Sequence, residues 1–176
     1  MNSNYLPEVI QRFEYYKSLG DKTFEQLSDE QLFWKANVES NSIANIVRHL
    51  WGNMLSRWTD FLTTDGEKEW RDREGEFADA NANRAEMLRQ WDAGWNCLFD
   101  ALRSLTEQDL DKTIYIRNQG HTVTEAISRQ LAHYASHVGQ IIFIGKMLRG
   151  SSWKSLSIGR GESVNYNAEK FSQPKQ

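Results

Sequence analysis

Apolar residues recur at intervals of three and four over most of the chain, and these intervals mark out four long helices. In residues 5–27, Leu6, Val9, Ile10, Phe13, Tyr16, Phe24 and Leu27 share one stripe. Pro7 falls in the opening turn, where its missing N–H costs little. Gly20 lies on the same stripe and reads as a close-packing point. Ser28-Asp29-Glu30-Gln31 then has the form of a capping box and opens a short turn through Trp34. Ser42 caps the second helix, SIANIVRHLWGNMLSRWTDFL, with Ile43, Ile46, Val47, Leu50, Met54, Trp58 and Phe61 on one face. The third helix covers residues 84–105 and turns Met87, Leu88, Trp91, Trp95, Leu98, Leu102 and Leu105 inward. Thr122 or Thr124 caps the fourth, which runs through Ile127, Leu131, Tyr134, Val138, Ile141, Ile142 and Ile144 toward Leu148. Arg149-Gly150 closes it with a cation in the last turn and a glycine after it.

The connections break this pattern in two places. Residues 63–81, TTDGEKEWRDREGEFADAN, are charged and irregular, and their length permits a crossover to a parallel neighbour. After a short turn at Thr106-Glu107-Gln108-Asp109, the stretch KTIYIRNQGHTVT alternates apolar and polar residues. A turn signal at Asn118-Gln119-Gly120 makes it a small hairpin ahead of the last long helix. So short a hairpin is an appendage. The expected fold is all-α, a four-helix bundle with long crossover connections over residues 1–150. A tail over residues 151–176 is partly packed on it through some of Trp153, Leu156, Ile158, Tyr166 and Phe171.

Composition narrows the function. A chain of 176 residues fits one domain. Its single cysteine, Cys97, rules out an internal disulfide and the paired-cysteine zinc and redox motifs. The formal net charge of −3 is spread without a basic stripe, which argues against a nucleic-acid surface. No signal peptide or membrane-length apolar run is present, so a cytoplasmic location is expected. Seven Trp, six Tyr and eight Phe exceed the needs of a small core, and part of that load is expected at a homodimer contact.

Chemistry concentrates in QLAHYASHVGQ, residues 130–140. His133 and His137 are four apart on one helix, so both imidazoles can reach a common divalent ion. The intervening Tyr-Ala-Ser lacks the glutamate of the H-E-x-x-H motif, which excludes a protease of that type. His49, beside the apolar face of another helix, is the best third ligand. Read alone it is more readily a core or rim histidine than a ligand, and the residues leave both readings open. Three histidines with a fourth position open would be a catalytic type of coordination. His121 reads as a loop histidine, Cys97 as a small buried residue without a cationic neighbour, and Gly159-Arg160-Gly161 as a flexible turn. Glu125 and Gln140 are candidates to orient an imidazole by hydrogen bonding.

A histidine in SIANIVRHLWGN followed about 80 residues later by the pair in QLAHYASHVGQI resembles the DinB superfamily, which includes the YfiT-like proteins. The segments NMLSRWTDFLTTDGEK and WKSLSIGRGESVNYN are similar to a branch of it that has no assigned activity to carry over. The resemblance implies a bundle in up-down-down-up order with a divalent ion, usually nickel or zinc, held by His49, His133 and His137. It also implies a small metalloenzyme, such as a thiol-dependent S-transferase using a low-molecular-weight thiol and a small-molecule substrate. Bacillithiol transferases and a mycothiol-dependent maleylpyruvate isomerase are examples within the superfamily. The alternatives are a metal-dependent hydrolase, a non-catalytic metal-binding stress or scaffold protein, and a helical interaction domain whose histidines are incidental. Neither nucleic acid nor membrane is an expected partner.

Overall fold

Helix α1 (Tyr5–Phe24) opens the computed structural model, which describes residues 4–78 and 83–175. Leu6, Val9, Phe13 and Phe24 form its buried stripe. It stops before the expected Leu27, and the cause lies far along the sequence. Arg84 donates to the Phe24 carbonyl at 2.8 Å and to the Leu27 carbonyl at 2.9 Å, satisfying acceptors that a helix end leaves open. Gly20 is a close-packing point, since a Cβ there would strike the indole of Trp91. The capping box at Ser28 is formed, but α2 (Asp29–Leu32) ends short of Trp34.

Helix α3 (Ile43–Trp58) begins at the Ser42 cap and ends before Leu62. Asp60 adopts the left-handed backbone, with φ of 51°, and its carbonyl accepts the N–H groups of Thr63 and Thr64 at 3.0 Å. The chain turns there, and Phe61 folds back on Trp58 with ring centroids 4.7 Å apart. Phe61 thus reaches the core from a turn, although its spacing imitates another helical position. Helix α4 (Arg84–Ser104) follows, capped by the Asn83 side chain.

Strands β1 (Thr113–Ile116) and β2 (Gln119–Thr122) pair antiparallel. Their turn is Arg117-Asn118, both at positive φ, the type I′ geometry that suits the twist of a two-residue hairpin. It lies one residue earlier than expected, and Gly120 sits in β2 opposite Tyr115. Asp65, from the connection after α3, accepts the N–H groups of Arg117 and Asn118 at 2.8 and 2.7 Å. The long connection is thereby pinned to the hairpin. Helix α5 (Val123–Arg149) starts at the Thr122 cap.

Contacts along the helices fix their directions. Tyr5 meets Thr124, Phe13 meets Tyr134 and Thr23 meets Gly145, so α1 and α5 run the same way. Gly94 packs on Trp51 and Met54, and Cys97 meets Thr59, so α3 and α4 also run together. Helix α4 opposes α1, with Trp91 on Phe24 and Arg103 beside Glu14. Helix α3 opposes α5, with Trp58 on Tyr134 and His49 beside His137. One apolar core runs through all four long helices. The segment that crosses from α3 to its parallel neighbour α4 includes residues 79–82, which lie outside the described residues.

The described residues are therefore mostly helical, with one small two-stranded sheet among them. Among the described residues, no helix is long and apolar enough to cross a membrane. Beyond α5, the Lys154 N–H donates to Gln26 Oε1 at 2.8 Å, and Trp153 packs over Gly145. Leu156 is partly buried against the core. Helix α6 (Ser163–Phe171) has no buried residue, and Phe171 and Val164 are largely exposed.

Candidate metal centre

The rotation of α5 is set by Tyr134. Its ring is fully buried, its hydroxyl donates to Asn53 Oδ1 at 3.0 Å, and it accepts the Trp58 indole N–H at 3.0 Å. With Tyr134 locked inward against α3, the preceding residue, His133, faces the same helix from the rim of the core. His137 follows one turn later and His49 comes across from α3. The Nε2 atom of His133 lies 3.3 Å from that of His49 and 3.1 Å from that of His137. All three ligand nitrogens fall within 4.8 Å of one another, and the rings meet edge to face at 64° to 84°.

Two imidazoles on one tetrahedral zinc hold their nitrogens roughly 3.3 Å apart, given a metal–nitrogen bond of about 2.0 Å. The two short separations match. Proton placement makes the fit sharper. The Nδ1 of His49 lies 2.8 Å from Glu76 Oε2, and an ionised carboxylate only accepts, so Nδ1 carries a proton and the neutral form of the ring presents Nε2 as a bare lone pair. The Nδ1 of His137 faces Gln140 Oε1 at 3.3 Å, which leaves its Nε2 bare in the same way. Nε2 of His133 touches both and has at most one hydrogen to give. At least one bare lone pair is therefore left without a well-aimed donor, and a cation at the centre would satisfy it. Burial, with His137 and His49 adjacent, pushes the His133 pKa down to about 3. Burial, then His49, lowers that of His137 against the Gln140 bond. Neutral, unprotonated imidazoles are what a metal ion requires.

The sequence reading missed Glu76. It comes from the irregular connection, where no periodicity singles it out. Burial works against its charge, but the hydrogen bonds from His49 and Arg71 and the Arg71 charge outweigh that and lower its pKa. Arg71 donates to Oε1 at 2.7 Å and to Oε2 at 3.0 Å. Histidine ligands are commonly oriented by such a carboxylate on the far nitrogen. The segment is held to α3 by Asn45, which donates to the carbonyls of Phe77 and Ala78, and by Arg48, which donates to Ala78. Phe77 stacks on the His49 ring at 4.8 Å. Gly52 makes room for the carboxylate, because a Cβ at that position would collide with it. The sequence signal available was weak: an acid in a charged loop, and a glycine one turn after His49 on the same helix.

Other candidates fall elsewhere. Gln140 does bond one of the three histidines, His137, whereas Glu125 lies 3.0 Å from His121 in β2. His121 does not line the cleft at the three histidines. Cys97 contacts Thr59 and Met54, and burial raises its pKa, which fits an inert thiol. Gly159-Arg160-Gly161 forms the turn before α6.

No curated protein matches the chain. Residues 1–162 match the family described as a protein of unknown function, DUF1572. That span includes all three histidines, Glu76 and every long helix, and the chain belongs to this family.

Proposed function

We propose that the protein is a divalent-metal-binding member of the DinB superfamily, a four-helix bundle in up-down-down-up order whose ligands are His49, His133 and His137. The observation that carries this reading is the convergence of three Nε2 atoms, two of them stripped of hydrogen by Glu76 and Gln140. In this reading residues 1–150 are the bundle and residues 151–176 a tail. Three protein ligands leave a position for an exchangeable group, which is the catalytic rather than the structural pattern. A divalent ion held there supplies Lewis-acid polarisation and lowers the pKa of a thiol or water that joins it. Around it, Glu76 holds His49 in one tautomer, Gln140 holds His137, and Phe77 covers the outer ring of His49. The resemblance favours nickel or zinc as the ion, a thiol-dependent S-transferase as the activity, and a homodimer as the working form.

Metal analysis by native mass spectrometry tests the site. One divalent ion per chain is expected in the wild type, and none in His133→Ala. Equal metal content in the two proteins, including none in both, overturns the assignment. A metal-loaded protein is then offered low-molecular-weight thiols with a panel of electrophiles. Consumption of both reactants supports the transferase, hydrolysis without thiol favours a hydrolase, and no turnover with stoichiometric metal favours a non-catalytic metal-binding protein.

A further inference from the structure

The three histidines line a cleft of about 470 Å³ together with five arginines, Arg57, Arg71, Arg73, Arg117 and Arg129. Three carboxylates answer them. Glu67 is shared by Arg57, Arg71 and Arg117, Glu76 pairs with Arg71, and the exposed Glu74 lies 3.4 Å from Arg73. With Asp65, whose charge also reaches Arg57, five guanidiniums face four carboxylates, which leaves one positive charge in excess in a chain whose formal net charge is −3. Among the described residues no carboxylate lies within ion-pair distance of Arg129, which stands one turn before His133 on the same face of α5.

Two deeply buried side chains in this wall each also leave one atom without a partner. Arg57 is 7 % exposed and its Nε has no acceptor, while Gln130 is 4 % exposed and its Oε1 has no donor. A buried unmatched donor is costly, and a guanidinium fork matches the geometry of a carboxylate or phosphate. A concave wall of one sign also concentrates the field on whatever enters. Structural ion pairs account for Arg71 and in part for Arg57, but not for Arg129 or the orphaned Nε.

We infer that this cleft takes an oxyanion, a carboxylate- or phosphate-bearing substrate whose charged group meets Arg57, Arg117 and Arg129 beside the histidines. The inference names the substrate class for the metal-centre reading above and rests on the same cleft, but the arginines act with or without the ion.

Isothermal titration calorimetry at low ionic strength separates the two. Inorganic phosphate and succinate are titrated into chelator-treated and metal-loaded wild type, with neutral succinamide as control. Arg129→Gln and Arg117→Gln, both at exposed positions, accompany Arg103→Gln, which lies outside the cleft. At least one anion is expected to bind the metal-free protein, with affinity falling about tenfold or more in each cleft variant and unchanged in Arg103→Gln. Preference for phosphate or for succinate identifies which oxyanion the cleft favours. Binding of neither anion, binding insensitive to the cleft arginines, or binding equalled by succinamide overturns the inference. Stoichiometric metal with any of these results leaves the metal centre standing alone. Arginine-dependent anion binding by a protein that takes up no metal upholds the inference and sinks the metal centre.

Discussion

Replacing Gly52 with alanine sets two effects of opposite sign against each other. Inside a helix, alanine is favoured over glycine by about 1 kcal/mol, so Gly52→Ala on propensity alone stabilises α3. The structure gives the opposing effect. An added Cβ would stand 2.8 Å from the Glu76 carboxyl carbon and 3.2 Å from its Cγ, and would overlap Oε1. The carboxylate has little freedom to retreat, because both oxygens are held by Arg71 and one by His49. The side chains of Arg71 and Glu76 are only 2 % and 6 % exposed, and breaking a buried pair from one side costs about 3–5 kcal/mol. The net expectation is a loss of about 2–4 kcal/mol. The same displacement frees the His49 ring, and loss of such an orienting carboxylate weakens metal binding by about 10–100-fold. Urea unfolding followed by far-ultraviolet circular dichroism reads the first quantity, and competition with a chromophoric chelator reads the second. A Gly52→Ala protein that is as stable as its parent and binds metal as tightly would refute the role given to this contact.

Two further substitutions test the frame around the centre. Tyr134→Phe leaves the buried Trp58 indole N–H without its acceptor and should cost about 1–3 kcal/mol in urea unfolding; an unchanged midpoint contradicts the locking of α5. Asp109, beside Lys112 and bonded by the N–H and hydroxyl of Thr106, titrates at about 2, below the ~3.9 of an unfolded chain. A lowered folded pKa contributes stability that is complete above the unfolded pKa and fades as pH falls from about 4 through about 2. Asp109→Asn should therefore be less stable than the parent near about pH 6, with the gap narrowing across that acid window. A gap that widens on acidification excludes this origin.

The long helices were legible because each buries a stripe at helical spacing and two carry a readable local cap, at Ser42 and Thr122. Their ends were less so. The stop at Phe24 depends on Arg84, sixty residues away, and the stop at Trp58 on a left-handed Asp60 that the apolar Phe61 disguises. His133 and His137 stood out by their i, i+4 spacing, whereas for His49 its place beside an apolar face made only a candidate, and the family resemblance put it with the pair. Glu76, Arg71 and Arg73 did not follow, because their segment has no period to read. Only the fold of residues 63–78 back onto α3, through Asn45 and Arg48, brings them to the histidines. Nothing in the sequence signalled α6, whose apolar residues lie on the outside of the chain.

The Glu76 segment carries one more consequence. His49 is oriented by a stretch that belongs to no helix or strand and stays in place through a few polar bonds to α3. Docking of that stretch and capture of an ion are therefore two equilibria joined at one imidazole. Whatever factor the docked segment adds to metal affinity, the bound metal must return to the segment as protection against opening. Amide exchange in residues 71–78 thus becomes a gauge of the ion, readable without any knowledge of substrate.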